Sequence, residues 1–228
     1  MSGAGERGGT RIERHEHYFL VGVDLGQSRD PSAIAVVERA EVVGPFDPMM
    51  YAYRKTAALR VRHLERIPLG TGYPEVVQRV VEVARSRELA GRCRLMVDAT
   101  GVGRPVVDLL RNARPGCQVM PVVVTSGERE TSSGGIYCVP KRDLIVRLQV
   151  LMQTGGLQFA KGMKFGAELA GEMAAMEVRV SAAGTEQYGA WREGTHDDLV
   201  FAVALSCWGA AKVYPRSEEW WSSERWGL

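Results

Sequence analysis

The sequence predicts an α/β fold in which a sheet is flanked by helices and a β-hairpin precedes the last helix. Three observations carry that reading. Short apolar runs, two of them ending in an aspartate, punctuate the first half of the chain. Stretches with apolar residues at helical spacing alternate with those runs. Turns rich in Gly, Ser, Asp and Pro separate the two kinds of segment.

Residues 1–17 are rich in Gly, Arg, Glu and His and read as a flexible charged leader. Tyr18 to Asp24 (YFLVGVD) is a continuous apolar run ending in a carboxylate, as expected of a strand buried on both faces. A turn over Leu25 to Pro31 leads to a second run, Ser32 to Glu38, and the short connection predicts an antiparallel hairpin. Residues 44–50 (GPFDPMM) read as a loop, with a third strand over Tyr51–Lys55 and Leu59–Ile67. From Tyr73 to Glu88, Val76, Val77, Val80, Val81, Val83 and Ala84 fall on helical spacing, and Pro74 suits a first turn. Cys93 to Asp98 is a further apolar run ending in an aspartate. Ala99 to Gly103 turns the chain into a helix beginning at Pro105, and Gln118 to Val124 is the next strand. Lys141 to Thr154 is an amphipathic helix ended by Gly155-Gly156, and Phe165 to Met173 a shorter one. Val178–Val180 and Gln187–Trp191 predict a hairpin. Thr195 is a fitting N-cap for a last helix running through Ala211.

Composition bounds the function. The 228 residues are 45% hydrophobic and 25% charged, enough apolar material for one real core. Lys plus Arg is 29 against 27 for Asp plus Glu, which excludes a polybasic coat but leaves room for a local basic groove. Cys93, Cys117, Cys138 and Cys207 show no CxxC spacing, so free thiols are expected rather than a zinc site or a disulfide framework. No run of about 18 apolar residues is present to span a membrane. The leader has no apolar segment of a signal peptide. A soluble protein of the cytoplasm is expected.

Acids stand where they are costly. Asp24 and Asp98 each end an apolar strand, and Asp197-Asp198 open a helix that continues Leu-Val-Phe-Ala-Val-Ala-Leu. Each has an ordinary reading: a turn-former after a strand, or an N-cap answering the helix dipole. Together they suggest more. Strand ends in α/β sheets are where ligands bind. Were the strands neighbours, three acids with no nearby Lys to neutralise them would gather at one place. Hard oxygen donors of this kind suit Mg²⁺ or Mn²⁺, and two such ions can clamp the attacking and leaving oxygens of a phosphodiester.

Three segments, Val23-Asp24-Leu-Gly26 with Asp30, Val97-Asp98-Ala-Thr-Gly-Val-Gly103, and Gly194-Thr-His-Asp-Asp-Leu-Val-Phe-Ala202, resemble the nuclease domain of the large terminase subunit of tailed bacteriophages and prophages. Val139 to Ile145 and Gly155 to Phe159 resemble the family's segment between its second and third acids. The resemblance covers residues 18–212 and leaves 213–228, with Trp220, Trp221 and Trp226, as a C-terminal tail. It implies a ribonuclease H-like fold of RuvC type, a mixed central sheet flanked by helices with an extra β-hairpin before the last helix. It implies a DNA endonuclease that cuts concatemeric viral DNA during genome packaging with two Mg²⁺ or Mn²⁺ ions, leaving a 5′-phosphate and a 3′-hydroxyl. Carried over by position, Asp24 bridges both metals, Asp98 and Asp198 each hold metal, Asp197 assists, Asp30 is an extra acid that touches metal when DNA is bound, and His196 is an auxiliary that orients water or phosphate. Lys141, Arg142, Lys161, Lys164, Arg179 and Arg192 are the candidate phosphate contacts, the hairpin over 178–192 foremost. Expected partners are double-stranded DNA and, through the packaging machinery, the portal, the small terminase subunit or a separate ATPase. The tail either packs on the domain or docks on such a partner.

The family's P-loop motor is missing, since no GxxxxGK[ST] occurs. An excised domain and a standalone nuclease both fit, and Met1 with its leader favours a natural start. Two rivals stand beside the nuclease. One is an inactive ribonuclease H-like module that only binds DNA or a partner. The other is an actin-like kinase or ATPase fragment, suggested by GVDLG but lacking the second glycine-rich phosphate loop.

Overall fold

The computed structural model describes residues 15–26, 30–101, 103–180, 186–190 and 196–212. Residues 1–14 of the expected leader, the tail from 213, Thr195 and Arg192 lie outside them; residues 15–17, expected in that leader, are instead strand, paired as far as His15↔Val42.

The first three strands are β1 (His15–Asp24), β2 (Ser32–Asp47) and β3 (Ala52–Ile67). After α1 (Tyr73–Ala84) come β4 (Cys93–Asp98), α2 (Gly103–Asn112) and β5 (Gln118–Thr125). Two short strands, β6 (Thr131–Ser133) and β7 (Ile136–Pro140), lead to α3 (Lys141–Gln153). Then follow β8 (Leu157–Phe159), α4 (Gly166–Ala175), the hairpin β9 (Met176–Val180) and β10 (Glu186–Ala190), and α5 (Asp198–Lys212). The main sheet has eight strands in the order β6-β7-β5-β4-β1-β2-β3-β8, and β9 and β10 pair separately. β1, β2 and β3 are antiparallel neighbours, whereas β4, β5 and β7 run parallel to β1, so the sheet is mixed.

Apolar side chains of β1 and β2 alternate between two cores. Val21, Val23, Ile34 and Val36 pack with Val76, Val80, Val106 and Leu110 of α1 and α2. Leu20, Ala33, Ala35 and Val37 pack on the other face with α5, Leu144 and Leu148 of α3, and Leu169 of α4. Burial on both faces is why β1 reads as an unbroken apolar run. α5 is buried from Asp198 through Ala210, and it sits directly on β1. Gly22 permits that approach: a Cβ there would stand 1.9 Å from the Ala202 carbonyl oxygen and 2.6 Å from Ser206 Oγ.

Sequence and structure part at several places. The loop expected over 44–50 shrinks to a turn, because β2 and β3 stay paired out to Phe46↔Tyr53 and Asp47↔Ala52. The register slips between Val43 and Phe46, at Gly44-Pro45, where proline has no N–H for the ladder. α1 ends at Ala84 rather than near Glu88; beyond it the Ser86 amide bonds three residues back, to the Val83 carbonyl, and the helix does not continue. The three-residue edge strands β6 and β8, and β7 directly ahead of α3, were not expected, being too short for a period to show. The last helix begins at Asp198, with the Phe201 N–H donating to the Asp197 carbonyl. All four cysteines are free, Cys93 and Cys207 buried and the other two half-buried. Among the described residues no helix is long and apolar enough to cross a membrane.

Candidate active site

Topology brings the acids to one end of the sheet. Val23 of β1 lies beside Val97 of the parallel β4, so Asp24 and Asp98 leave the sheet as neighbours. Asp24 pairs across with Ala33, and Ala33 pairs with Arg66, which sets a carboxylate and a guanidinium two strands apart in one row. α5, seated over β1, brings Asp197 and Asp198 to the same place.

Asp24 feels all of them. Burial pushes its carboxyl well above the usual range, and the negative charges of Asp98, Asp197 and Asp198 push it further, with Lys141 opposing. Burial also raises Asp98, against the Thr100 N–H that donates to its Oδ1 at 2.7 Å and the charge of Lys141. Asp98 therefore forms the expected turn and faces the acid cluster at once. Asp198 is raised by burial, opposed by Arg66. Arg66 grips it with two bonds, Nε to Oδ2 at 2.8 Å and Nη2 to Oδ1 at 3.2 Å.

The expectation of a cluster without neutralising bases is corrected on two counts. Lys141, expected among the phosphate contacts, lies inside the cluster, its Nζ 3.5 Å from Asp197 Oδ2 and 4.2 Å above the centre of the Phe201 ring. Arg66 was not foreseen at all. Its Nη2 also donates to Oε1 of Glu172, a buried acid of α4. The other Glu172 oxygen accepts the Val200 N–H at 3.1 Å, one of the free amides of the first turn of α5. Burial and the Asp198 charge push the Glu172 carboxyl up to about 7, against Val200 and Arg66. Glu172 sat on the apolar stripe Leu169, Met173, Met176, where an acid needs a partner, and that was its readable signal.

Of the remaining expected residues, His196 stays close enough to the cluster for its charge to act on Asp198, and the others lie apart. Asp30 is exposed and faces His196, whose Nδ1 is 3.7 Å from its Oδ1; that nitrogen is buried with no hydrogen-bond partner among the described residues. Arg142 is exposed, its Nε 3.6 Å from Asp143. Lys164 is exposed with its Nζ 4.9 Å from the Phe165 ring centre, and Lys161 is exposed on a turn. Arg179 belongs to β9, but its side chain, like all of Arg192, lies outside what is described.

The donor set fits a hard divalent cation on its chemistry. Asp24, Asp98, Asp197, Asp198 and Glu172 oppose Arg66 and Lys141, formally −5 against +2, which leaves −3 in a largely buried place. Its geometry is not closed: among the described residues no three carboxylate, imidazole or thiol groups converge as a ligand set. Both Asp198 oxygens are turned to Arg66 instead.

No family model and no curated protein matches the sequence. Solved structures do share the fold. The large terminase nuclease from thermophilic phage G20c aligns at a TM-score of 0.55 with 22% identity, over 88% of this chain and 89% of that one. The same nuclease with bound cobalt gives 0.57 and 23%, over 89% and 88%. The nuclease domain of the Thermus phage P74-26 large terminase gives 0.55 and 21%, over 88% and 86%. The fold of this chain is thus the ribonuclease H-like fold of those nuclease domains.

Proposed function

We propose that the chain is a divalent-metal-dependent DNA endonuclease of the terminase type, cutting concatemeric viral DNA during genome packaging. The observation that carries this reading is the gathering of Asp24 and Asp98, at the ends of β1 and β4, with Asp197 and Asp198, at the start of α5, in a place of net negative charge. The likeness to terminase nucleases, one of them solved with cobalt, supports it.

Asp24, Asp98 and Asp198 would hold Mg²⁺ or Mn²⁺, with Asp197 beside them. Bound there, such ions would lower the pKa of an attacking water and stabilise the leaving oxygen of a phosphodiester. The protein's own groups prepare the site. The Thr100 N–H fixes the Asp98 carboxylate, and Lys141 favours the charged form of Asp24 and Asp98. α5 carries Asp198 on a buried helix, which holds its position. The exposed Arg142, Lys161 and Lys164, with Arg179 and Arg192 of the hairpin region, are proposed to bear DNA phosphates. Asp30 is proposed to act with His196 at the rim. Packaging partners, the portal, small subunit or a separate ATPase, are proposed to act with it on the DNA.

A second reading, an inactive module that only binds DNA or a partner, draws on the grip of Arg66 on Asp198. Plasmid digestion with Mn²⁺ or Mg²⁺ separates the two. Cleavage by the wild type that is lost in both Asp24→Ala and Asp198→Ala is expected. Cleavage persisting in both variants refutes the site assignment, and none in any protein favours the binding module.

A further inference from the structure

Asp198 is claimed by a cation that belongs to the chain. Arg66 covers both of its oxygens, and a guanidinium cannot be discharged at any ordinary pH. The side chains of Asp198, Glu172 and Arg66 are 3%, 7% and 22% exposed, so none is free to move into water at little cost. We propose that Arg66 is the resident counter-cation of Asp198, which it cedes when a divalent ion binds, and that Glu172 is the seat that retains the guanidinium. The proposal rests on the metal-site reading above.

Charge and geometry support the handover. One guanidinium serves two buried carboxylates, so releasing Asp198 leaves Arg66 still paired. Swinging Arg66 out to solvent would instead leave Glu172 as a buried acid without a cation, which is unfavourable. Nη2 already bonds both acids, so the change is a small rotation rather than a journey. Glu172 does not follow Asp198, because its second oxygen is pinned by the Val200 N–H. Arg66 is therefore a positioning residue, and Glu172 sets how readily it lets go.

The two residues should then act in opposite directions on metal uptake, which a merely structural role would not produce. Glu172→Gln keeps an acceptor for Val200 but removes the rival charge, so Arg66 holds Asp198 harder. Arg66→Gln removes the competitor. Calorimetric titration of Mn²⁺ into the full chain should show affinity falling roughly tenfold in Glu172→Gln and rising roughly tenfold in Arg66→Gln, the scale of one charge-assisted bond. Arg66→Lys keeps the charge without the fork and should bind between wild type and Arg66→Gln; with Glu172→Gln it decides the matter if Arg66→Gln fails to fold. Melting curves identify such a failure. The handover is refuted if the wild type binds Mn²⁺ and the Arg66 variants bind it no tighter, or if Glu172→Gln binds as wild type does. A wild type that takes up no Mn²⁺ overturns the metal site itself, and the handover with it.

Discussion

Replacing Gly22 with alanine tests the link between packing and site geometry. The new Cβ would begin 1.9 Å from the Ala202 carbonyl oxygen, whereas contacts under 3.0 Å are essentially never seen. The gap must open by about 1.1 Å, and the opposing atom is helix backbone, which cannot rotate away. β1 is held on both sides by β2 and β4, so α5 is the element that yields. Overpacking of this kind costs about 1–3 kcal/mol. For a domain of this size each kcal/mol lowers the melting temperature by about 2–4 °C. The same retreat carries Asp198 away from Asp24 and Asp98, and a misplacement of about 1 Å can cost a reaction about 100-fold. Calorimetric melting should therefore fall by several degrees, and plasmid cleavage in Mn²⁺ by about two orders of magnitude at temperatures where the variant is fully folded. Wild-type melting together with wild-type cleavage would refute the reasoning at its root. A lowered melting point with unchanged cleavage would show that α5 placement does not govern the site.

Two further outcomes follow from the same geometry. Asp24 has a raised carboxyl in the folded state, so the native chain holds a proton that the unfolded chain has lost. Stability without metal should then fall as pH rises from the ordinary aspartate range through the raised one, and Asp24→Asn should flatten that fall and melt higher than wild type near neutral pH in EDTA; a variant that melts lower there contradicts the burial argument. Gly209→Ala first meets the side chain of Met96, with its sulfur at 2.5 Å, and methionine repacks readily. It should cost about 1 kcal/mol, less than Gly22→Ala, and denaturant melts of the pair check the ranking.

Much of the candidate site is legible because it sits at ends. Asp24 and Asp98 close apolar runs and Asp198 opens one, so a local pattern marked all three, and the parallel register of β1 and β4 then made two of them neighbours. Arg66 left no such mark. β3 alternates basic and apolar residues, and nothing local separates Arg66 from Arg60 or Arg62. Its partners lie 132 and 106 residues away, and only the Asp24–Ala33–Arg66 row of the sheet singles it out. Lys141 reads as an outward charge in the sequence, because a basic first residue of a helix looks like a surface charge until the parallel pairing of β7 with β5 turns that helix start toward the acids. The short edge strands escaped for a different reason: three residues hold no period, and Thr131 to Ser133 bury nothing.

The burial of α5 along nearly its whole length bears on how the site can move. Backbone amides in a helix enclosed on every side exchange with solvent only when the domain opens as a whole, whereas strand-end turns open locally at far lower free energy. Asp198 therefore stands at the start of a slowly exchanging helix. Asp24 and Asp98 are the last residues of β1 and β4, where the chain leaves the sheet. Any adjustment of the three acids toward one another falls to the two strand ends, with the helix as the fixed reference, and amide exchange measured with and without Mn²⁺ should show protection gained at the described residues next to Asp24 and Asp98 while α5 is unchanged.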